Sequence, residues 1–345
     1  MCLLAVGVVT SVCIGGILLV RRSRQGHAYV DSTRTTAAQT IAPHAHEEKE
    51  KHDSRTKLKR IGADVRRRII PELRIRVLGL RGQTDKEFRT TIENKRVESS
   101  SKTTTIRTTR RRNILIHFVR HGEGEHNLAQ RKWRENPSWD GVSEPYTLET
   151  DPTFVYLDPS LTSAGREQAL TLRTDIRKRN MSPDETSPIR PQVLFLSPLR
   201  RATQTGLAAF EDLLLSSGGP IREILANELL HETSGKHTCD KRRSRTDLSK
   251  EFPRVSYELV KSEEDPFWGD GRTREPWTGV AERAARFLAW LVRHRSEREV
   301  AVAAHSGFLA AMFVAVLDQD DGWFRTGEMR SVRLAVDDEA VITGN

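Results

Sequence analysis

Two histidines and two arginines of this 345-residue chain stand where an apolar run gives way to a polar loop. One run ends in Arg120-His121-Gly122, another ends in His305, and Arg201 follows a third. Apolar runs rich in β-branched residues predict buried strands. Side chains just past the carboxyl ends of strands in an open α/β sheet face one crevice, so these four groups can converge there.

These residue types suit phosphoryl transfer. An arginine guanidinium holds phosphate oxygens through a bidentate fork. A neutral imidazole is a competent covalent nucleophile near neutral pH. Glu232, which follows a fourth apolar run, supplies a carboxylic acid that can protonate a leaving alkoxide. An isolated His-Gly pair is more typical of a solvated loop. The matching groups further along the chain favour a functional site.

The elements that would position these groups alternate between strands and helices, which is typical of an α/β domain. Thr162 is a candidate N-cap for a helix that runs to about Arg179. The polar stretch from Thr233 to Pro276 is too long for a plain connection, so we predict a substrate-facing insertion over about 233–276. The predicted strands are 113–119, 192–196, 221–230, 300–304 and 331–336, and further helices are predicted after 201, over 280–291 and over 308–317.

Five short blocks of sequence occur in a fixed order along the chain. They are Arg120-His121-Gly122-Glu123 with Asn127, Leu161-Thr162 with Gly165, Gln168 and Ala169, Ser197-x-Leu199-x-Arg201-Ala202, Leu230-x-Glu232, and His305. Together they resemble the histidine phosphatase superfamily, in its phosphoglycerate-mutase-like branch. The resemblance covers residues 113 to about 335. It implies a three-layer αβα domain with a mostly parallel sheet.

The resemblance also implies a role for each matching residue. His121 matches the nucleophile that becomes phosphohistidine. Arg120, Arg201 and His305 match the groups that bind the phosphoryl oxygens, and Asn127 matches a residue that assists them.

The acid is carried over in the same way. Glu232 matches the general acid that later activates water. The residues expected to be catalytic are therefore His121, Glu232 and His305. Glu228 is the alternative acid because it lies near the end of the same predicted strand. Arg200 falls on a variable position of its block and is expected to be solvated or to support its neighbours.

The segment Leu230–Arg243, together with Glu264–Trp268, is similar to a eukaryotic phosphomutase-like subgroup. In that subgroup a glycine follows the acid by three residues, as Gly235 does here. In phosphoglycerate mutases and fructose-2,6-bisphosphatase-like domains the glycine follows the acid by four residues. This difference argues against glycolytic mutase activity.

Two further groups in this segment have alternative interpretations. The cluster Lys241, Arg242, Arg243 and Arg245 is expected either to bind a second anionic part of the substrate or to be a solvated charge run. His237 and Cys239 are too few for a structural zinc site. We predict no metal and no cofactor, since the arginines supply the positive charge.

The charge of the chain is unevenly distributed. Residues 21–112 hold 25 lysines and arginines against 11 aspartates and glutamates, a surplus of +14, so the whole-chain charge of +9 leaves −5 for residues 113–345. The polar, low-complexity composition of 21–112 predicts a disordered basic linker, in which 71–80 could form a short strand or helix. Because this tract lacks interleaved aromatic residues, we expect no nucleic-acid partner.

Residues 1–20 contain no charged side chain, and twenty helical residues rise about 30 Å, the thickness of a hydrocarbon core. A cleaved signal peptide and an upstream extension of the gene model are the alternatives. Basic residues follow this run and none precedes it. We therefore predict an uncleaved single-pass membrane anchor, with the catalytic domain, 113–345, facing the cytosol.

The sequence thus predicts a membrane-anchored phosphatase that hydrolyses a small phosphomonoester through a phosphohistidine intermediate on His121. One alternative is a phosphomutase of the phosphoglycerate mutase type, which returns the phosphoryl group to its substrate. The other is a non-catalytic, membrane-tethered protein that binds phospho-ligands. The presence of every expected group of the site favours an enzyme.

Overall fold

The computed structural model describes residues 33–69, 74–79, 92–97, 104–182 and 188–344, with side chains over 48–69, 112–182 and 188–336. The contact pattern separates residues 1–42 from residues 43–345, and the second unit contains the whole sheet. The predicted anchor, 1–20, lies outside the described residues. None of the helices that the structure describes is long and apolar enough to cross a membrane.

The described strands form one mixed sheet of eight. Its order is β1-β8-β3-β7-β4-β5-β6, and β2 pairs with β3. The neighbours β3, β7, β4, β5 and β6 are parallel, whereas β1, β2 and β8 pair antiparallel. The strands are β1 Arg74–Gly79, β2 Ile92–Val97, β3 Thr104–Arg120, β4 Val193–Leu196, β5 Glu223–Asn227, β6 Ser256–Leu259, β7 Glu299–Ala304 and β8 Met329–Gly344.

Helices cover both faces of the sheet, which confirms the predicted three-layer α/β architecture. Alternate residues of a strand point to opposite faces, and β7 shows this directly: Val300 and Val302 lie in one hydrophobic core, Ala301 and Ala303 in the other. The helices are α1 Thr33–Ile69, α2 Glu125–Arg134, α3 Ser163–Met181, α4 Arg200–Ala209, α5 Arg245–Glu251, α6 Trp277–His294 and α7 Ser306–Ala310, which continues as a π-helical turn, Ala311–Val316.

The first of these helices corrects the prediction of a disordered linker over 21–112. Leu58 and Val65 of α1 are 0% exposed and belong to the core that α6 and the π-helical turn also line. Leu58, Ile61, Val65 and Ile69 recur at helical spacing, which places them on one face of a helix. The average composition of a basic tract hides such a stripe, and for this reason the prediction was wrong here.

Two further boundaries differ from the sequence-based ones. The strand predicted from Asn113 begins at Thr104, because the preceding residues pair with the far end of β8. The stretch predicted as an irregular insertion over 233–276 contains α5 and the edge strand β6, which pairs with β5. The region 71–80 contains β1, one of its two predicted forms.

Candidate active site

Three neighbouring parallel strands bring the candidate groups together. His121 follows β3, His305 follows β7, and Arg201 lies in the first turn of α4, just after β4. The rings of His121 and His305 have centroids 5.1 Å apart. The convergence predicted from the strand ends is therefore present in the fold.

His121 is fixed in the tautomer that a nucleophile needs. Its Nδ1–H donates to the carbonyl oxygen of Gly122 at 2.6 Å, so the lone pair of the neutral ring is on Nε2. Burial, followed by the charges of Arg201 and Arg120, holds the pKa of His121 well below its ordinary value of 6.5. A neutral, oriented imidazole at a strand end is suited to attack an electrophilic phosphorus.

Arg201 is oriented by a turn that lies 38 and 39 residues further along the chain. Its Nη1 donates to the carbonyl oxygen of Cys239 at 2.6 Å, and its Nη2 donates to Oδ1 of Asp240 at 2.9 Å. The guanidinium is fully buried, and Nε has no hydrogen-bond partner within the described residues. The N–H of Nε is therefore left for a ligand.

His305 presents a second unused polar atom. Its Nε2 lies 2.7 Å from Oγ of Ser197, while Nδ1 is buried and has no partner in the part of the chain that the structure describes. Burial, and then the charge of Arg201, holds the pKa of His305 well below 6.5. A buried polar atom without a partner costs about 1–3 kcal/mol. Nε of Arg201 and Nδ1 of His305 are thus two buried polar atoms that the described residues leave for a ligand.

Arg120 and Asn127 lie at the same edge of the sheet. Nη1 of Arg120 donates to the carbonyl oxygen of Phe324 at 2.6 Å, which ties this arginine to the loop before β8. Oδ1 of Asn127 accepts from the backbone N–H of Gly124 at 3.0 Å, at the start of α2. Their predicted contacts with substrate stay predictions, and the fold gives Asn127 a structural task as well.

The carboxylate of Glu232 is held beside His305. Its Oε1 accepts from the backbone N–H of Thr233 at 2.8 Å and from that of Gly307 at 3.0 Å. A Cβ at position 307 would lie 2.5 Å from this oxygen, so the approach requires a glycine. Glu232 is 9% exposed, and the two backbone N–H groups fix the orientation of its carboxylate.

Glu228, the alternative acid, forms an ion pair with Arg242. It accepts from Nε and Nη2 of Arg242 at 2.8 and 3.2 Å. The same guanidinium, fully buried, also donates to the carbonyl oxygens of Ser262, Glu263 and Glu264. This pair holds the 233–276 insertion together, whereas Glu232 is bound to Gly307, two residues after His305.

The basic cluster 241–245 does not form one anion-binding surface. Arg242 is the buried partner of Glu228, Arg243 pairs with Glu251 at 2.8 Å, and Arg245 pairs with Glu263 at 3.5 Å. Lys241 lies over the rings of Phe154 and Trp268, at 5.1 and 5.6 Å from their centroids. Arg200 likewise pairs with Glu251, in keeping with its expected supporting position.

Three possible metal ligands lie within 4.8 Å of one another, and they belong to His237, Cys239 and Asp240. The sequence pointed to His237 and Cys239 but not to Asp240. These atoms do not fit a metal ion. Burial disfavours the charge on Asp240, yet the hydrogen bond from His237 and the charges of Arg274 and Arg201 hold its pKa below the usual range. Two guanidinium groups thus occupy the position from which a cation would have to be bound.

Sequence reasoning also missed His126. Its ring centroid lies 5.7 Å from that of His121 and 6.2 Å from that of Tyr146. A signal was present, since His126 directly precedes Asn127 in the first block. Asp240 had no such signal, because its contact with Arg201 joins positions 39 residues apart.

Comparison with known proteins places this chain in a family. A model described as the histidine phosphatase superfamily (branch 1) matches residues 155–336, more than half of the chain. A phosphoglycerate mutase-like protein of Arabidopsis thaliana is 31% identical over 215 residues, covering 56% of this chain and 71% of the relative. A probable phosphoglycerate mutase of Arthroderma benhamiae is 29% identical over 223 residues, covering 65% and 64%.

Among solved structures, a mycobacterial glucosyl-3-phosphoglycerate phosphatase is 20% identical, with a TM-score of 0.36, over 65% of this chain and 97% of that one. This level of likeness supports no functional argument. The family match, the sequence relatives and the order of the five blocks agree with one another. The chain belongs to the histidine phosphatase superfamily, in its phosphoglycerate-mutase-like branch.

Proposed function

We propose that the chain is a phosphatase that hydrolyses a small phosphomonoester through a phosphohistidine on His121. The observation that carries the proposal is a neutral, oriented His121 near two buried polar atoms that have no partner among the described residues, Nε of Arg201 and Nδ1 of His305. An apolar or cationic ligand would leave the guanidinium N–H unpaired. A phosphoryl group, with its several anionic oxygens, accepts from it.

In the first step, Nε2 of His121 attacks phosphorus and the bond to the ester oxygen breaks. Arg201, Arg120 and His305 contact the phosphoryl oxygens, where charge develops in the transition state. The carboxyl group of Glu232 gives its proton to the departing alkoxide, so that a neutral alcohol leaves.

In the second step, the carboxylate of Glu232 takes a proton from a water molecule. The oxygen of that water attacks phosphorus and the phosphorus–nitrogen bond breaks. Inorganic phosphate forms, His121 is again neutral, and Glu232 is again protonated. No metal ion is needed for this sequence, since guanidinium and imidazole groups contact the phosphoryl oxygens.

A phosphomutase is the second candidate, and the names of the relatives favour it. In that reaction the phosphoryl group of His121 passes to an alcohol instead of to water. Turnover in ¹⁸O-labelled water separates the two activities. The phosphatase places one ¹⁸O atom in each phosphate released, whereas a mutase yields an isomeric phosphomonoester without label.

The experiment uses the full chain, a panel of phosphorylated metabolites and the variant His121→Gln. Wild type should release labelled phosphate and acquire an acid-labile phosphoryl group, and His121→Gln should do neither. His294→Gln, at the end of α6, is the matched control for loss of an imidazole. Unlabelled isomeric product would establish the mutase, and binding of phosphomonoesters without any turnover would establish the non-catalytic alternative.

The membrane attachment is a separate proposal that rests on residues 1–20 and the basic residues after them. Full-length protein should sediment with membranes and resist extraction by alkaline carbonate. Release by carbonate, or a mature chain that starts beyond Val20, would rule out the anchor.

A further inference from the structure

His126 is the third imidazole in the candidate site, and none of the roles carried over from the family blocks falls on it. We propose that His126 is a further phosphoryl-contacting residue, which donates a hydrogen bond from Nε2 to an oxygen of the bound phosphoryl group. This inference rests on the proposed function, because it adds a contact to the same reaction.

The position of the ring decides which nitrogen is available. His126 is 7% exposed, and its Nδ1 is buried without a hydrogen-bond partner in the described chain. Nδ1 and Cε1 lie over Gly124, where a Cβ would be 2.7 and 2.8 Å from them. Nδ1 is thus packed against the backbone of Gly124, and Nε2 is the nitrogen that a ligand can reach; the neutral tautomer with its proton on Nε2 donates there. Nε2 makes no hydrogen bond with the described residues and has its donor free.

The charges around His126 are those around His121. Burial, followed by the charge of Arg201, holds the pKa of His126 well below 6.5; Arg120 and His237 act in the same direction and Asp240 opposes them. These groups come from the end of β3, from α4 and from the 237–240 turn. His126 therefore lies in the positive field that would receive a phosphoryl group, and its ring is neutral there.

The backbone holds this donor in place before any ligand arrives. His126 is the second residue of α2, at whose start the backbone N–H of Gly124 donates to Oδ1 of Asn127 at 3.0 Å. The N–H of Glu125 donates to the carbonyl oxygen of Ser160 at 3.0 Å, which ties the same turn to the loop before α3. A donor fixed on a helix end loses little freedom when it contacts a ligand, and such preorganisation favours binding.

The test compares inhibition by inorganic phosphate and by orthovanadate in the full-length wild type, His126→Phe and His126→Gln. His126→Phe keeps a planar ring but loses the donor. Its inhibition constants should rise about 10- to 100-fold, the range for a hydrogen bond to a charged group. His126→Gln places an amide N–H near the former Nε2 and should stay within about threefold of wild type. His294→Gln should leave both constants unchanged.

A third variant of the site keeps the imidazole and moves it. In Gly124→Ala, the new Cβ would collide with Nδ1 and Cε1 of His126, so phosphate inhibition should weaken although no donor is removed. Thermal unfolding of each variant identifies any that does not fold, and the other two then carry the comparison. Equal inhibition of His126→Phe and wild type would overturn the inference, as would a glutamine variant no better than phenylalanine. A wild type that neither turns over phosphomonoesters nor is inhibited by phosphate overturns the proposed function instead.

Discussion

Glu232→Gln should separate the two steps of the proposed reaction. The Oε1 of glutamine can still accept from the N–H groups of Thr233 and Gly307, which lie 2.8 and 3.0 Å from the carboxylate. The loop should therefore keep its shape while the exchangeable proton is lost. A general acid contributes about 10²–10⁴-fold, so turnover of alkyl phosphates should fall by that factor. The corresponding rise in the barrier is about 3–5 kcal/mol.

An aryl phosphate with an acidic phenol behaves differently, because its leaving group needs little protonation. Its first step should proceed in Glu232→Gln nearly as in wild type, giving a burst of about one phenol per site. The second step should then lag, because no carboxylate activates water. Acid-labile label on His121 should accumulate. Rapid quenching of ³²P-labelled reactions measures both the burst and the label.

Glu228→Gln is the matched control for this experiment. It makes the same chemical change four residues earlier, but in a side chain that pairs with Arg242. It should lower thermal stability and leave the ratio of aryl to alkyl turnover at the wild-type value. If Glu232→Gln loses aryl and alkyl substrates equally and never labels, the assignment of the proton donor to Glu232 is wrong.

Three other predictions follow from the described residues. Leu58→Ala should reduce the free energy of unfolding by about 2–5 kcal/mol, because Leu58 is fully buried in the core. Urea titration measures this loss, and a loss no greater than that of exposed Lys57→Ala would refute the packing of α1. The rate at which an aryl phosphate phosphorylates His121 should persist as pH falls from 7.5 to 6. Burial and the charges of Arg201 and Arg120 keep the pKa of His121 below 6.5, so its ring stays neutral. A phosphorylation rate that halves near pH 6.5 would contradict this prediction. EDTA should leave turnover nearly unchanged, and a complete loss that added divalent metal restores would show that the site has been misread.

The catalytic end of the sheet was predictable because its residues mark transitions in the sequence. Arg120-His121 and His305 each stand at the end of an apolar run, and parallel strands carry such ends to one edge. Asp240 could not be predicted in this way. It lies in a polar loop, and only the folded chain brings its carboxylate to Arg201 at 2.9 Å.

The N-terminal helix shows a different limit. Composition averaged over 21–112 is polar and basic, and this average predicted disorder. Leu58 and Val65 nevertheless lie seven residues apart, two turns of a helix, and both are buried against the sheet domain. Nη1 of Arg66 donates to the carbonyl oxygen of Ala315 at 2.7 Å, so part of the basic character also serves the packing. Periodicity within a tract carries information that its mean composition loses.

The arginines of this site have two effects that belong together. Their charge would attract a phosphoryl group, and, after burial, the charge of Arg201 is the largest cause that lowers the pKa values of His121, His126 and His305. The nucleophile is thereby kept neutral. A bound phosphate dianion cancels part of that positive field, so the lone pair of His121 becomes more basic when substrate binds. A more basic nitrogen is a stronger nucleophile, and a lone imidazole in water has no comparable control.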